Sequence, residues 1–265
     1  MDSLRELIRL LLGTIIYRPY VYAFFVCFAF FAIRHLRVRG TIAWTVMAWT
    51  VAFLSEYSST RNGFPFGIYR YFDEMRTREL WISNVPFWDS LSFVFLSYFS
   101  WVLAAALTKK QGTFTEALMK PSTTLLSGLL MMLLDVVIDP LTLLGDRWFL
   151  GHIYDYPTGG TYFGVTLANF AGWFFVGMVI PLIFQQMTRL KALASSAWRE
   201  LPSLELWACF GVYTGVFLFN LGITAWLAEW TLFAASSAIA GTTLLACLYV
   251  LVPNLRPSTR KSLVI

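Results

Sequence analysis

The sequence predicts an all-α protein, a polytopic membrane bundle of about seven transmembrane helices preceded by an interfacial helix. Three observations carry this. The chain is 58% hydrophobic and only 13% charged, against roughly 25% charged residues in a soluble domain. Its apolar residues fall into blocks near the ~20 residues that cross a bilayer. Its first turns alternate on a helical period, with Leu4, Leu7, Ile8, Leu11 and Leu12 on one face and Arg5, Glu6 and Arg9 on the other, the pattern of a helix lying in the membrane surface. These residues are read as that helix and not as a cleaved signal.

The spans are expected at about 18–35, 40–56, 86–108, 121–139, 163–187, 204–226 and 229–252. Several begin at proline or end at charge, the usual helix punctuation. No linker divides them, so residues 1–265 are read as a single transmembrane domain. The net charge of +5 fits basic residues gathered on cytoplasmic loops and calls for no nucleic acid. Eight Lys and Arg fall on the N-terminal side of the bundle and twelve on the other, which favours an N-terminus outside. Cys27, Cys209 and Cys247 all lie within apolar blocks and are read as packing residues.

One connecting stretch stands apart, from Glu56 to Pro86. It carries Phe64, Phe66, Tyr69, Tyr71 and Trp81, with Gly63, Pro65 and Gly67 to bend it. It is expected to form a folded cap. The charged run 73–79 inside it is read as solvated surface.

Acids inside a bilayer are costly and mark function by default. The candidates are Glu56, Asp89, Asp135, Asp139 and Glu229. The expected topology puts Glu56 at the end of the second span, Asp89 at the start of the third, Asp135 and Asp139 at the end of the fourth, and Asn169 just inside the fifth. These groups converge on one membrane face. Asp135 and Asp139 are four apart and share a helical face. Like charges so placed cannot both shed their protons cheaply, and a retained proton is what a general acid requires. The competing reading pairs the acids with Arg61, Arg70 or Arg147.

The two histidines, His35 and His152, are far apart in sequence, which is too little for a di-iron or zinc site. No Gly-rich phosphate loop, nucleotide fingerprint or Gly-x-Ser-x-Gly elbow occurs. What remains is acid–base chemistry with no metal and no cofactor, in an aromatic chamber. The tryptophans at 44, 49, 88, 101, 148 and 173 are read mainly as belt or packing residues, though a ring face can also attract a developing cation.

Glu56, Gly63-Phe-Pro-Phe-Gly67, Tyr69, Tyr71, Val85-Pro86 and Trp88 form one signature. Leu134-Asp135, Asp139-Pro140, Gly160-x-Tyr-Phe-Gly-Val165, Asn169-Phe170 and Gly172-Trp173-Phe174 form a second. Over about residues 45–180 the chain resembles the membrane carotenoid biosynthesis proteins of the CruF type. The resemblance implies a carotenoid hydratase, a hydro-lyase that adds water to the terminal double bond of an acyclic end group. Its substrate would be lycopene, γ-carotene or a C50 carotenoid, met from the lipid bilayer of a bacterial inner membrane. It implies Glu56, Asp135 and Asp139 as catalytic residues. Phe64, Phe66, Tyr69, Trp88, Asp89, Tyr162, Asn169 and Trp173 would contact substrate. An end-group cyclase or isomerase shares the first protonation, and a carotenoid- or lipid-binding protein without turnover shares the chamber.

Overall fold

Helix α3 (Phe87–Thr108) is the one the other helices surround, and it is buried along most of its length. Its sequence permits this. Ser97 returns its hydroxyl to the Phe93 carbonyl at 2.6 Å, and Ala104, Ala105 and Ala106 let neighbours approach closely. A helix buried all round must satisfy its polar groups internally. The computed structural model describes residues 2–190 and 198–254. Lys191, Arg256, Arg260 and Lys261, which enter the charge count above, lie outside them.

Around α3 stand α2 (Pro19–Asn62), α5 (Pro121–Thr142), α6 (Leu167–Arg189), α7 (Ser203–Trp226) and α8 (Trp230–Asn254). A short α4 (Phe114–Leu118) is closed by a Thr113–Glu116 capping box. Among the described residues, six helices are long and apolar enough to cross a membrane, against about seven expected. The difference lies in α2, which contains both the first and second expected spans. Its 44 residues would run about 66 Å as one rod, twice a hydrocarbon core of roughly 30 Å. The rod is broken at Arg37, whose φ of 63° and ψ of 171° are not helical. Contacts with α3 show what the break does. Arg18 lies over Trp88, Phe24 stacks on Phe95 and Phe28 meets Tyr98. Beyond Arg37, Trp44 stacks on Trp101, Trp49 donates to the Phe87 carbonyl and Glu56 meets Ser90. The two halves run up and back along the same helix, so the expected loop at 36–39 shrinks to one reversed residue.

The other boundaries fall within a few residues of expectation. Helix α5 continues through Pro140 to Thr142, where the Leu143 amide closes the turn on the Asp139 carbonyl. The close join of α7 and α8 is made at Ala228, with φ of 58°. Helix α1 (Asp2–Tyr17) leaves Leu4, Leu7, Ile8, Leu12, Ile15 and Ile16 exposed. Its opposite face is tied to the connecting loop, with Thr14 accepting the Leu80 amide at 2.8 Å and Arg9 donating to the Thr77 carbonyl at 2.9 Å. The three cysteines are free thiols.

Two connections form the cap. β1 (Arg70–Tyr71), from the loop after α2, pairs antiparallel with β4 (Tyr154–Asp155), from the loop after α5. Arg70 and Asp155, opposite each other, form an ion pair at 2.8 Å. β2 (Trp81–Ile82) and β3 (Val85–Pro86) make a small hairpin leading into α3. Gly63 ends α2 in the left-handed conformation, and Gly67 repeats it at φ 83°. Between them the Phe66 amide donates to Ser59 Oγ at 2.9 Å. A Cβ on Gly172 of α6 would strike the Pro65 carbonyl and the Phe66 ring, so the cap rests on α6 where α6 has no side chain.

The run 73–79 is only partly the solvated surface expected. Asp73, Glu74, Arg76, Thr77 and Arg78 are exposed, but Glu79 is fully buried, paired with Arg18 at 2.8 Å. Arg18, one of the eight basic residues counted on the N-terminal side, is 1% exposed. It also donates to the Leu150 carbonyl at 2.6 Å. Burial makes the reason plain, since a charge removed from water needs a partner of opposite sign and filled hydrogen bonds.

Candidate active site

The end of α2, the start of α3, the end of α5 and the start of α6 meet beneath the cap. Each brings a polar group that its helix position dictates. Asp89 lies in the first turn of α3. Asp135 and Asp139 lie one turn apart on α5, both buried. Asn169 lies in the first turn of α6, which Thr166 caps by accepting the Asn169 amide. Glu56 lies six residues before the end of α2 and is buried.

The hydrogen bonds form three knots. Asn169 Nδ2 bridges Asp135 Oδ2 at 2.7 Å and Asp139 Oδ2 at 3.0 Å. Tyr154 and Tyr156 both donate to Asp139, Tyr156 at 2.8 Å to Oδ2. Tyr71 donates to Asp89 Oδ2 at 2.6 Å, and the Ser90 hydroxyl donates to Glu56. The Tyr69 ring fills the centre, edge-on to Tyr71 and Tyr154. Burial, with the nearby carboxyls, pushes the phenols of Tyr69, Tyr71 and Tyr156 well above the usual range. They stay protonated and serve as donors. Asp135 Oδ1 is buried with no partner among the described residues.

Two voids abut here. The larger, about 730 Å³ with its mouth, runs between the first half of α2, α3, α5, α7 and the loop after α5. Its walls are mainly apolar: Tyr20, Phe24, Phe95, Ile138, Trp148 and Phe219. The smaller, about 310 Å³, lies under the cap among Glu56, Tyr69, Tyr71, Tyr156 and Asn169. Asp89, Asp139, Tyr154 and Trp173 line both. Four residues therefore form a wall with an apolar chamber on one side and a polar chamber on the other.

Of the residues expected from sequence, Glu56, Phe66, Tyr69, Asp89, Asp139, Asn169 and Trp173 line these voids. Trp88 lines the larger one and donates its Nε1–H to Glu79 at 3.0 Å. Asp135 lies behind Asn169 and lines neither. Phe64 is 60% exposed and packs edge-on to Phe175, outside both. Tyr162 packs against Phe163 and Phe170, also outside both. Glu229 pairs with Arg147 at the α7–α8 join, away from the voids.

Sequence reasoning missed Tyr154, Tyr156 and Ser90. The tyrosines did leave a signal. They flank Asp155 at an interval of two, which on a strand puts both on one face and the acid on the other. The structure has this arrangement, with Asp155 held by Arg70 and both phenols on Asp139. Ser90 left none, being one serine among several on α3.

No curated relative and no solved structure matches the chain. One family model does match, described as carotenoid biosynthesis protein, and it covers residues 10–245. With six helices able to span a bilayer, the chain is an integral membrane protein and belongs to the carotenoid biosynthesis protein family.

Proposed function

We propose that this protein is a cofactor-free carotenoid hydratase of the CruF type. It adds water across the terminal double bond of an acyclic end group to give a tertiary alcohol. The observation that carries this reading is the shared wall, where carboxyl groups stand between an apolar chamber that suits a polyene end and a polar chamber that suits water.

In the proposed reaction Asp139 transfers a proton to the less substituted carbon of the double bond. The π electron pair forms the new C–H bond and leaves a tertiary cation on the neighbouring carbon. Tyr154, Tyr156 and Asn169 donate to the carboxylate left behind, stabilising charge where it develops. The Trp173 ring, stacked on Phe93 at 4.2 Å, offers a π-face to the cation. Water attacks through its lone pair, and a second carboxylate takes the proton lost from oxygen. Glu56 orders water in the polar chamber, and Asp135 holds Asn169 against Asp139. Phe66 and Tyr69 close the chamber above, and Trp88 walls the apolar side. Phe64 and Tyr162 would reach substrate only outside the two voids. We read the whole chain as one transmembrane domain of a bacterial inner membrane, N-terminus outside, with lycopene, γ-carotene or a C50 carotenoid entering from the lipid.

The test is expression in a lycopene-producing host followed by pigment mass analysis. A product heavier by one water is expected. An isobaric product would favour the cyclase or isomerase reading, and unchanged pigment from purified, folded protein would favour carriage without turnover. Since the sequence lacks clustered His and Cys, turnover in EDTA and without oxygen should match controls. A strict oxygen requirement would sink the hydratase reading.

A further inference from the structure

We infer that Asp89 is the second catalytic carboxylate, the base that takes the proton from the attacking water. The inference rests on the hydration reading and on Asp139 as the donor. The cation forms in the apolar chamber, so the base must touch water at the boundary between the chambers. Among the described residues only two carboxyl groups line both, Asp89 and Asp139. Glu56 lines the polar chamber alone, its carboxyl taking the Ser90 hydroxyl. Asp135 lines neither, and its Oδ2 faces Asn169.

The surroundings of the two boundary carboxyls divide the roles. Asp139 accepts from two phenols and an amide, three donors ready for the charge that appears when its proton leaves. It lies in the last turn of α5. Asp89 lies in the first turn of α3, at the positive end of a helix dipole, where a standing negative charge is favoured. The next residue back, Trp88, carries the Arg18 guanidinium 4.5 Å from its ring centre. Tyr71 fixes Asp89 Oδ2, and Oδ1 accepts no hydrogen bond among the described residues. In the step assigned, water forms the C–O bond with a lone pair and its O–H pair returns to oxygen. The proton passes to Asp89, which returns it through water to Asp139.

Proton transfer and water addition can be separated in deuterium oxide, using membranes containing the full chain and lycopene as the probe. Wild-type protein should give a product carrying deuterium on carbon. Asp139→Asn should yield neither product nor deuterated lycopene. Asp89→Asn should cut hydration by about 10²–10⁴-fold, while deuterium still enters recovered lycopene as the cation loses a proton back to Asp139. A structural defect would lower both signals together, and equal protein level with restored hydration in Asp89→Glu would separate the two cases. Asp89→Asn membranes that hydrate normally would overturn the assignment. So would the deuterium-only pattern in Glu56→Gln or in Asp139→Asn. Wild-type membranes giving only an isobaric product would overturn the hydration reading itself.

Discussion

The two ends of α3 bury much the same kinds of residue to opposite purpose. Near its C-terminal end, Trp44, Trp101, Phe184 and Trp198 stack in a continuous block. Several buried polar groups there are spent on fixed partners, while Ser100 Oγ and His35 Nε2 find none among the described residues. Trp44 and Trp101 donate to the carbonyls of Val94 and Leu118, and Gln185 holds Thr124 and the Leu118 carbonyl. Near its N-terminal end, Trp88, Trp148 and Trp173 stand around open space, and the buried polar groups are carboxyls facing phenols. Burial and aromatic content do not distinguish a site from a core. What distinguishes them is that carboxyls and phenols answer one another beside open space at the N-terminal end alone.

The sharpest way to break this contrast is Asp139→Asn. Activity should fall about 10²–10⁴-fold while the amount of folded protein is unchanged, measured by pigment mass against protein level. A fall in folded protein to match would make the N-terminal end a core like the other.

Trp101→Ala probes the opposite end. Deleting a fully buried tryptophan costs about 3–5 kcal/mol. Thermal unfolding in detergent should shift down, with near-normal turnover per folded molecule. Lost turnover at full stability would deny that this end is only packing.

Glu79→Gln sits between the two cases. It strands Arg18 without its buried partner, at a cost of about 3–5 kcal/mol, and it loosens Trp88, which walls the apolar chamber. Both melting temperature and turnover should drop, and a neutral result would return Glu79 to the solvated surface. Gly67→Val should damage turnover more than insertion, because the left-handed backbone there strains a branched residue. A Cβ would also press on Thr166 and Ala168. Smallest of all, Asp73→Asn with Arg76→Gln should change nothing measurable, since that pair is exposed.

The bundle was legible because each span announces itself by length and hydropathy, and the acids were legible because charge inside such blocks is rare. The turn at Arg37 was legible only as a loop, since the backbone reverses on a single residue with no glycine at that position. Glu79 was misread because a charged run looks solvated until its partner, 61 residues away, is known. Tyr154 lies in, and Tyr156 directly follows, a short strand that exists only because β1 pairs with it. Pairing between distant loops leaves little trace in local sequence. That Phe64 lies outside both voids was hidden for the opposite reason. Phe66, two residues on, faces inward, and nothing local says that the first aromatic turns away.

Arg18 also has a consequence for the order in which the protein is made. Its guanidinium binds Glu79 and the Leu150 carbonyl, 61 and 132 residues further along. On the ribosome it emerges long before either. A nascent chain that has inserted only α2 holds an unmet cation at the membrane surface, and one that ends after α3 meets the acid but not the carbonyl. The knot closes only when the loop after α5 has been synthesised, the same loop that brings Tyr154 and Tyr156 to Asp139. Closing the knot and delivering the two phenols therefore wait on one stretch of chain, and a chain cut short before residue 150 has Asp135 and Asp139 without the groups that hold them.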